Sequence, residues 1–349
     1  MKFGVQPTTL LERIGLATGK VPVPMIDVLI GPLKARAVMA AVSLGVFEAM
    51  ADGEHRPADL AARLGLEASA LELLLRALVV FDYLVQRGGG RFALSAMAKR
   101  TMLRGSPQAL TSYITFNEVQ WRFLAQLESL LRTGDGIDFH ETMADAGEWQ
   151  SYQQAMLEVA RFDAPILAAR VPVPPGATSL LDLGGSHGLM GAAICRRHPP
   201  LRSTVLDLPQ AVTFARTLAQ AEGLSDVVTH VEGDLLTSDL GHDHDVVLLS
   251  QVLHHFTPAA AASILARGHA ALRPGGTIAI WEFEAPRLDS RASAGDLPAL
   301  YFRLTSSAGA FNGSDAAAWL QRAGFHSIRI ARPALAPGAV LVTGRTAER

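Results

Sequence analysis

Two adjacent histidines, His254 and His255, close the run LLSQVLHHFTP at 248–258. An almost wholly apolar stretch of that length reads as a buried strand, so the pair stands where a strand ends. Three roles suit a histidine there: a general base, because an unperturbed imidazole titrates near pH 6.5, a metal ligand, or a satisfied structural contact. A metal site would recruit GHDHD at 241–245. That segment precedes the strand while His254 follows it, and several residues at about 3.3 Å each keep them apart. No metal is expected. Adjacent side chains point apart, so His255 is read as a structural or substrate contact.

A second constellation is LLDLGGSHGLMGAA, in which Asp182 leads into Gly184, Gly185 and Gly188 and then a helix. Small residues let backbone approach a ligand whose polar groups meet helix N-terminal amides. The dinucleotide fingerprint needs glycines at positions one, three and six. Counted from Gly184, those positions fall on Ser186 and Leu189, so the fingerprint fails, and the phosphate-loop Gly-Lys-Ser/Thr ending is missing too. His187 in this loop reads as a local polar contact. Asp207 ends the next strand in VLDLP, where an acid can accept from ribose hydroxyls. Asp234 stands at a third strand end in EGDLL. Three acids and a glycine loop at successive strand ends describe an adenosine cleft without a diphosphate clamp.

Strands must deliver these residues to one edge. From Thr178 the chain alternates β-rich runs (TSLLDLG, RSTVLDLP, DVVTHVEGD, HDVVLLSQVL, GTIAIWEFE, AVLVTGR) with helical segments. This predicts an α/β fold with a doubly wound, mainly parallel sheet, and such sheets bind ligands beyond the carboxyl ends of their strands. Upstream, KARAVMAAVSLGVFEAMADG and RPADLAARLGL read as helices, followed by EASALELLLRALVVFDYLV and a Gly-Gly-Gly hairpin. Helix, turn, helix, hairpin over about 35–105 outlines a winged helix. Its second helix, Ala68 to Phe81, offers Arg76 with Glu67 and Glu72 amid leucines and valines. That face suits another protein surface better than a phosphate backbone. Between the two regions, Trp121, Phe123, Trp149, Tyr152, Met156 and Phe162 are helix-packing residues singly, and as a set could wall an apolar ligand cleft. The expected organisation is 1–105, a helical bridge at 106–172 and the sheet domain at 173–349, joined through the Pro-rich VPVPPGA.

The 349 residues favour two domains. With 49% hydrophobic and 18% charged residues the chain is not disordered. Its net charge of −2 counts against a nucleic-acid partner. Cys195 is the only cysteine, so an internal disulfide is impossible and a reducing compartment is expected. The N-terminus lacks a signal-peptide apolar segment, and ARAVMAAVSLGVFEAM is too short and too charged to span a bilayer. A cytoplasmic protein with no membrane partner is the expectation.

Taken in order, LLDLGGSHG, VLDLP, EGDLL, DVVLLSQVLHHF, LRPGGTIAIWEFEAP and AAWLQRAGF, with YQQAM upstream, resemble the S-adenosylmethionine-dependent small-molecule O-methyltransferases of plants and bacteria. The resemblance covers nearly all the chain from about residue 30. It implies a Rossmann-like class I methyltransferase domain, an N-terminal winged-helix dimerisation domain and a homodimer. It implies S-adenosylmethionine as cofactor, with Gly184, Gly185 and Gly188 cradling its methionine part, Asp207 on the ribose and Leu208 against the adenine. Asp234 and Leu235 would hold the adenine edge, and Ser250 matches a position often occupied by lysine. Aligned from Asp245, His254 takes the place of the general base for a substrate hydroxyl, with His255 and Phe256 where the family usually has Asp-Trp. Glu282 matches the acid that steadies the base, with Glu284 a weaker candidate; the second bracketing acid has no clean match, though Ser314 and Asp315 lie near. Trp121, Met156 and Phe256 are the expected substrate contacts, joined by the segment LPALYFRLTSSAGAFN. The implied substrate is a hydroxylated aromatic or polyketide-like small molecule. Relatives with non-methylating chemistry make hydroxylation, decarboxylation or pericyclic cyclisation the alternative, and a DNA-binding regulator a third reading.

Overall fold

The computed structural model describes residues 4–137, 142–143, 146–286, 291–292, 296–306 and 309–348. Ser307 and Ala308 of the expected substrate segment lie outside the described residues. Contacts divide the chain into two compact units, Met1–Glu118 and Val119–Arg349.

The first unit is built from α1 (Leu10–Ala17), α2 (Val23–Ser43), α3 (Val46–Ala49), α4 (Pro57–Leu64) and α5 (Ala68–Val80). The hairpin β1 (Leu84–Arg87) and β2 (Arg91–Leu94) and helix α6 (Ala96–Thr101) follow. The single helix read across KARAVMAAVSLGVFEAMADG is two, because Gly45 adopts a left-handed φ of 72° between α2 and α3. Leu84 pairs with Leu94 across a turn at Gly88–Gly90, as the glycine triplet implied. The apolar face of α5 is largely consumed within the unit: Leu71, Leu75 and Leu78 are buried beside Val42, Phe47 and Leu60. Leu73 and Val80 of α5 stay exposed, and further exposed apolar residues sit on α1 and α2, where Leu11 is 80% and Val28 77% exposed.

Helix α7 (Thr111–Leu124) runs from the first unit into the second, which continues with α8 (Leu127–Thr133) and α9 (Ala146–Ala168). Then come β3 (Ser179–Leu183), α10 (Leu189–Arg197), β4 (Arg202–Asp207), α11 (Pro209–Ala221), β5 (Val228–Glu232), β6 (His244–Ser250), α12 (Pro258–Ala271) and β7 (Leu272–Phe283). The chain ends with α13 (Leu297–Thr305), α14 (Gly313–Arg322), β8 (His326–Ala331) and β9 (Ala339–Arg345). Seven strands form one sheet in the order β5-β4-β3-β6-β7-β9-β8, parallel except at β9. Central strands are apolar on both sides because helices cover both faces. One face carries Leu180, Val205, Val246, Leu248 and Trp281, the other Leu181, Leu183, Val247, Leu249 and Ile280.

The strand order reverses between β3 and β6, since β3 pairs with β4 on one side and β6 on the other. Loops leaving the two strands diverge there and open a crevice. Asp182, Asp207, Ser250 and Glu282 all stand at or just before the carboxyl ends of β3, β4, β6 and β7. Strand β6 is shorter than HDVVLLSQVL suggested: it ends at Ser250, Gln251 turns with a φ of 57°, and a 3-10 turn holds Leu253–His255.

Candidate active site

At the end of β3 the chain turns through Gly184 (φ 69°) and re-enters α10 through Gly188 (φ 76°). A Cβ on Gly188 would lie 2.7 Å from Val228 Cγ1, and one on Gly184 2.5 Å from Val252 Cγ2. Both positions therefore need glycine for conformation and for space. Gly185 packs directly on the Asp182 carboxyl group.

Asp182 is wholly buried, and neither carboxylate oxygen has a hydrogen-bond partner among the described residues, although the Gly191 amide lies near enough to favour its charged form. Burial, then the neighbouring Asp207 charge, pushes its pKa up to about 7. The carboxyl group is enclosed beside Gly185, Gly191 and Ser203, so it can act on a ligand in the crevice through its charge and not by contact. Asp207 Oδ2 accepts from the Ser186 amide (2.9 Å) and Oδ1 from the Leu208 amide (2.8 Å), while burial raises its pKa. These bonds fix the carboxylate at the crevice edge beside Leu208, whose side chain is partly exposed. Asp234 is half-buried and braces its own turn, accepting from the Leu236 amide at 2.8 Å. Leu235 is buried in the core, so the apolar side chain offered to solvent in that turn is Leu236. Ser250 is half-buried at the end of β6 and pairs with Trp281.

One consequence can be measured by calorimetry. A carboxyl titrating near 7 binds a proton below that pH, and a cation prefers the ionised form. Affinity for a cationic ligand in the crevice is expected to rise with pH up to about 7 and then level. Binding near pH 6.5 should release a fraction of a proton, seen as a heat that varies with buffer ionisation enthalpy, and Asp182→Asn should abolish it. Buffer-independent heat in the unmodified chain would refute this coupling.

The adjacent histidines do not point apart: in the 3-10 turn after β6 their ring centroids lie 4.1 Å from each other. His254 is 4% and Glu282 1% exposed. Glu282 Oε2 bonds His254 Nδ1 at 2.8 Å, and Oε1 accepts from the amides of Val252 (2.9 Å) and Leu253 (2.8 Å). With Nδ1 committed to the carboxylate, the proton-accepting position left on the ring is Nε2. The ring packs against His255 and Phe302, each at a centroid distance of 4.1 Å. Its backbone carbonyl accepts from Ser306 Oγ at 2.7 Å. Glu284 faces elsewhere: it caps α14 through the Gly313 amide and is held by Arg332. Ser314 and Asp315 serve the start of the same helix, whose cap Asn312 accepts from both their amides.

His242 pairs with Asp243, and His244 bonds Ser179 and the Leu240 carbonyl. Among the described residues no group of three or more His, Cys, Asp or Glu is arranged for a metal ion.

The expected substrate contacts divide. Met156 on α9 is half-buried, and its carbonyl is bonded by His187 of the glycine loop. Trp121 on α7 is 38% exposed. Phe256 lines a hollow of about 350 Å³ with Pro258, Phe311, Asp315 and Trp319, and His254 is not among its walls. Residues the sequence reading passed over are Gln153, which bonds Ser186 Oγ, and Phe302 and Ser306, which grip His254. The available signal for Gln153 was a serine where the glycine loop turns left-handed.

Comparison with known proteins agrees with this architecture. A family model for the O-methyltransferase domain matches residues 125–326, and one for the O-methyltransferase dimerisation domain matches 26–104. The 3-hydroxy-5-methyl-1-naphthoate 3-O-methyltransferase of Streptomyces sahachiroi is 29% identical over 91% of this chain and 93% of its own. The mitomycin biosynthesis 6-O-methyltransferase of Streptomyces lavendulae is 32% identical over 71% of this chain and 73% of its own. Among solved structures, human N-acetylserotonin methyltransferase in complex with S-adenosylmethionine superposes with a TM-score of 0.83 at 21% identity, covering 98% of this chain and 99% of that one. The mitomycin 7-O-methyltransferase gives 0.78 at 27% identity, covering 96% and 100%. The chain thus belongs to the O-methyltransferase family, an S-adenosylmethionine-dependent enzyme with a class I methyltransferase domain behind a dimerisation domain.

Proposed function

We propose that this enzyme methylates a hydroxyl of an aromatic or polyketide-like small molecule, with His254 as general base and Glu282 as the acid that orients it. The observation that carries the reading is the buried His254–Glu282 pair at a strand end beside the glycine loop. S-adenosylmethionine, when bound, supplies an electrophilic methyl group. Gly184, Gly185 and Gly188 leave room for its methionine part, Asp207 offers its carboxylate to the ribose, and Leu208 and Asp234 border the adenine position, with Leu236 rather than the buried Leu235 offering an apolar side chain there. Ser250 lies at the same edge. Transfer to oxygen is an in-line displacement needing a near-attack approach of about 3 Å. A phenol with pKa near 10 is mostly neutral at pH 7, so proton removal by His254 Nε2 raises its nucleophilicity. Trp121 and Met156 are retained as substrate contacts; Phe256, which lines a hollow that His254 does not border, is not.

The same reading takes 1–105 as a winged-helix dimerisation domain, 106–172 as a bridge lining the substrate cleft and 173–349 as the catalytic domain. A cytoplasmic homodimer is supported by the exposed apolar residues of α1 and α2 and by the lone buried Cys195. Among the described residues no helix is long and apolar enough to cross a membrane. The test is incubation of the full chain with methyl-labelled S-adenosylmethionine and a set of hydroxylated naphthoates and polyketide phenols. Label on a substrate oxygen is the expected result. A hydroxylated, decarboxylated or cyclised product without label would replace this reading by the non-methylating one.

A further inference from the structure

The glycine loop of this chain carries a serine at a place where the backbone turns left-handed. Ser186 has a φ of 48°, a conformation that is strained for a residue with a Cβ and persists where the surroundings over-determine it. Three of its groups are tied. The amide donates to Asp207 Oδ2 at 2.9 Å, the carbonyl is bonded by His230 Nε2 at 2.9 Å, and the hydroxyl donates to Gln153 Oε1. Gln153 lies on α9 and is 2% exposed.

The neighbouring residue makes a parallel tie. His187 is buried, and burial pushes its pKa down to about 4, so the ring is neutral at pH 7. Its Nδ1 accepts from the Leu189 amide at 3.1 Å, which leaves the proton on Nε2, and that nitrogen meets the Met156 carbonyl of α9. Two consecutive loop residues are therefore fastened to points three residues apart on α9, about one helical turn.

We propose that Gln153 is a positioning residue for the cofactor site, acting through Ser186 on the carboxylate of Asp207. The proposal rests on reading the glycine loop and Asp207 as the cofactor cradle. Gln153 touches neither Asp207 nor a reacting atom. By accepting the Ser186 hydroxyl it holds the strained turn closed, and the closed turn aims the Ser186 amide at Asp207. Without that acceptor the serine relaxes toward an ordinary φ and Asp207 loses one of its two amide bonds. A glycine at 186 would hold the turn with no tether, so the tether matters because this chain has a side chain there.

The test uses S-adenosylhomocysteine as probe, with calorimetry on the full chain. Gln153→Leu and Ser186→Ala should each weaken binding about tenfold, the size expected for losing one buried hydrogen bond and leaving its partner unpaired. Because both remove the same link, the double variant should bind within about twofold of Ser186→Ala alone. In a Ser186→Gly background Gln153→Leu should cost less than about twofold, a rescue that damage to α9 packing would not show. At saturating cofactor kcat should hold while KM for S-adenosylmethionine rises. Singles that multiply in the double, or a folded Gln153→Leu chain with unchanged affinity, would overturn the link. Should Gln153→Leu fail to fold, unchanged affinity in Ser186→Ala overturns it equally. If the unmodified chain binds no S-adenosylhomocysteine, the cradle reading itself falls; if it binds and the variants match it, only the positioning role does.

Discussion

Replacing His254 by alanine is expected to lower kcat by about 10²–10⁴-fold, the usual contribution of a positioned general base, while the Kd for S-adenosylhomocysteine stays within about twofold. The asymmetry follows from the contacts. His254 makes its side-chain bond to Glu282, whereas the glycine loop and Asp207 are held by Ser186, Leu208, Gln153 and His230. Truncating the ring leaves those bonds in place. It also leaves Glu282 with its two amide donors from Val252 and Leu253, so the turn after β6 keeps its backbone anchor. The lost ring packed against Phe302 and His255, so a modest loss of stability should accompany the kinetic effect, larger than a surface change and short of unfolding. Turnover and calorimetric affinity, measured on the same preparation, separate the roles. Wild-type turnover in this variant would remove His254 from the chemistry, and a parallel collapse of affinity would make it part of the cofactor site.

Much of the sheet was legible because its central strands are covered on both faces. LLDL, VVLLS and TIAIW are runs that only a two-sided core accommodates. Strand β8 was not legible for the opposite reason. HSIRIA lies at the sheet edge, mostly exposed, and shows neither a continuous apolar run nor clean alternation. In the first unit, the periodicity of KARAVMAAVSLGVFEAM continues through Gly45, so only the left-handed turn there reveals two helices. The wide apolar face of α5 could not say which partner would cover it, and most of it meets its own unit.

The site was readable where chemistry coincides with strand ends, as at Asp182, Asp207, His254 and Glu282. Phe256 shows where such reading stops. It follows the histidines directly, yet the 3-10 turn directs it to a hollow that His254 does not line. Gln153 shows another boundary. An amide on a helix carries no signature of being an acceptor, and its partner Ser186 is 33 residues away in the chain. Phe302 and Ser306 lie in a segment that sequence placed near the pocket without assigning either a contact to His254.

Glu282 should separate scaffold from catalysis more sharply than any other position. Its Oε1 accepts from two buried amides and its Oε2 from His254, so the side chain both closes the turn after β6 and orients the ring. Glu282→Ala removes both acceptor oxygens and all three bonds. Leaving buried amides unpaired costs about 1–3 kcal/mol each, so a destabilisation of about 2–5 kcal/mol is expected, together with loss of turnover. Glu282→Gln keeps the shape but has a single acceptor oxygen. The amides and the histidine then compete for it: with the oxygen on Val252 and Leu253, the amide nitrogen donates to His254 Nδ1 and fixes the tautomer whose Nε2 carries the proton, and with the side chain flipped the oxygen accepts from Nδ1 while the nitrogen faces the two backbone amides. The ring is thus left in the wrong tautomer or the turn loses its anchor, and kcat should fall by about 10²-fold or more, in line with the effect of removing the orienting charge behind a catalytic histidine. Urea unfolding and steady-state kinetics on both variants decide the matter. The expected pattern is a stable but slow Gln variant beside an unstable and slow Ala variant. A Gln variant with wild-type turnover would reduce Glu282 to a backbone anchor, and would place the orientation of His254 on the flanking rings of His255 and Phe302.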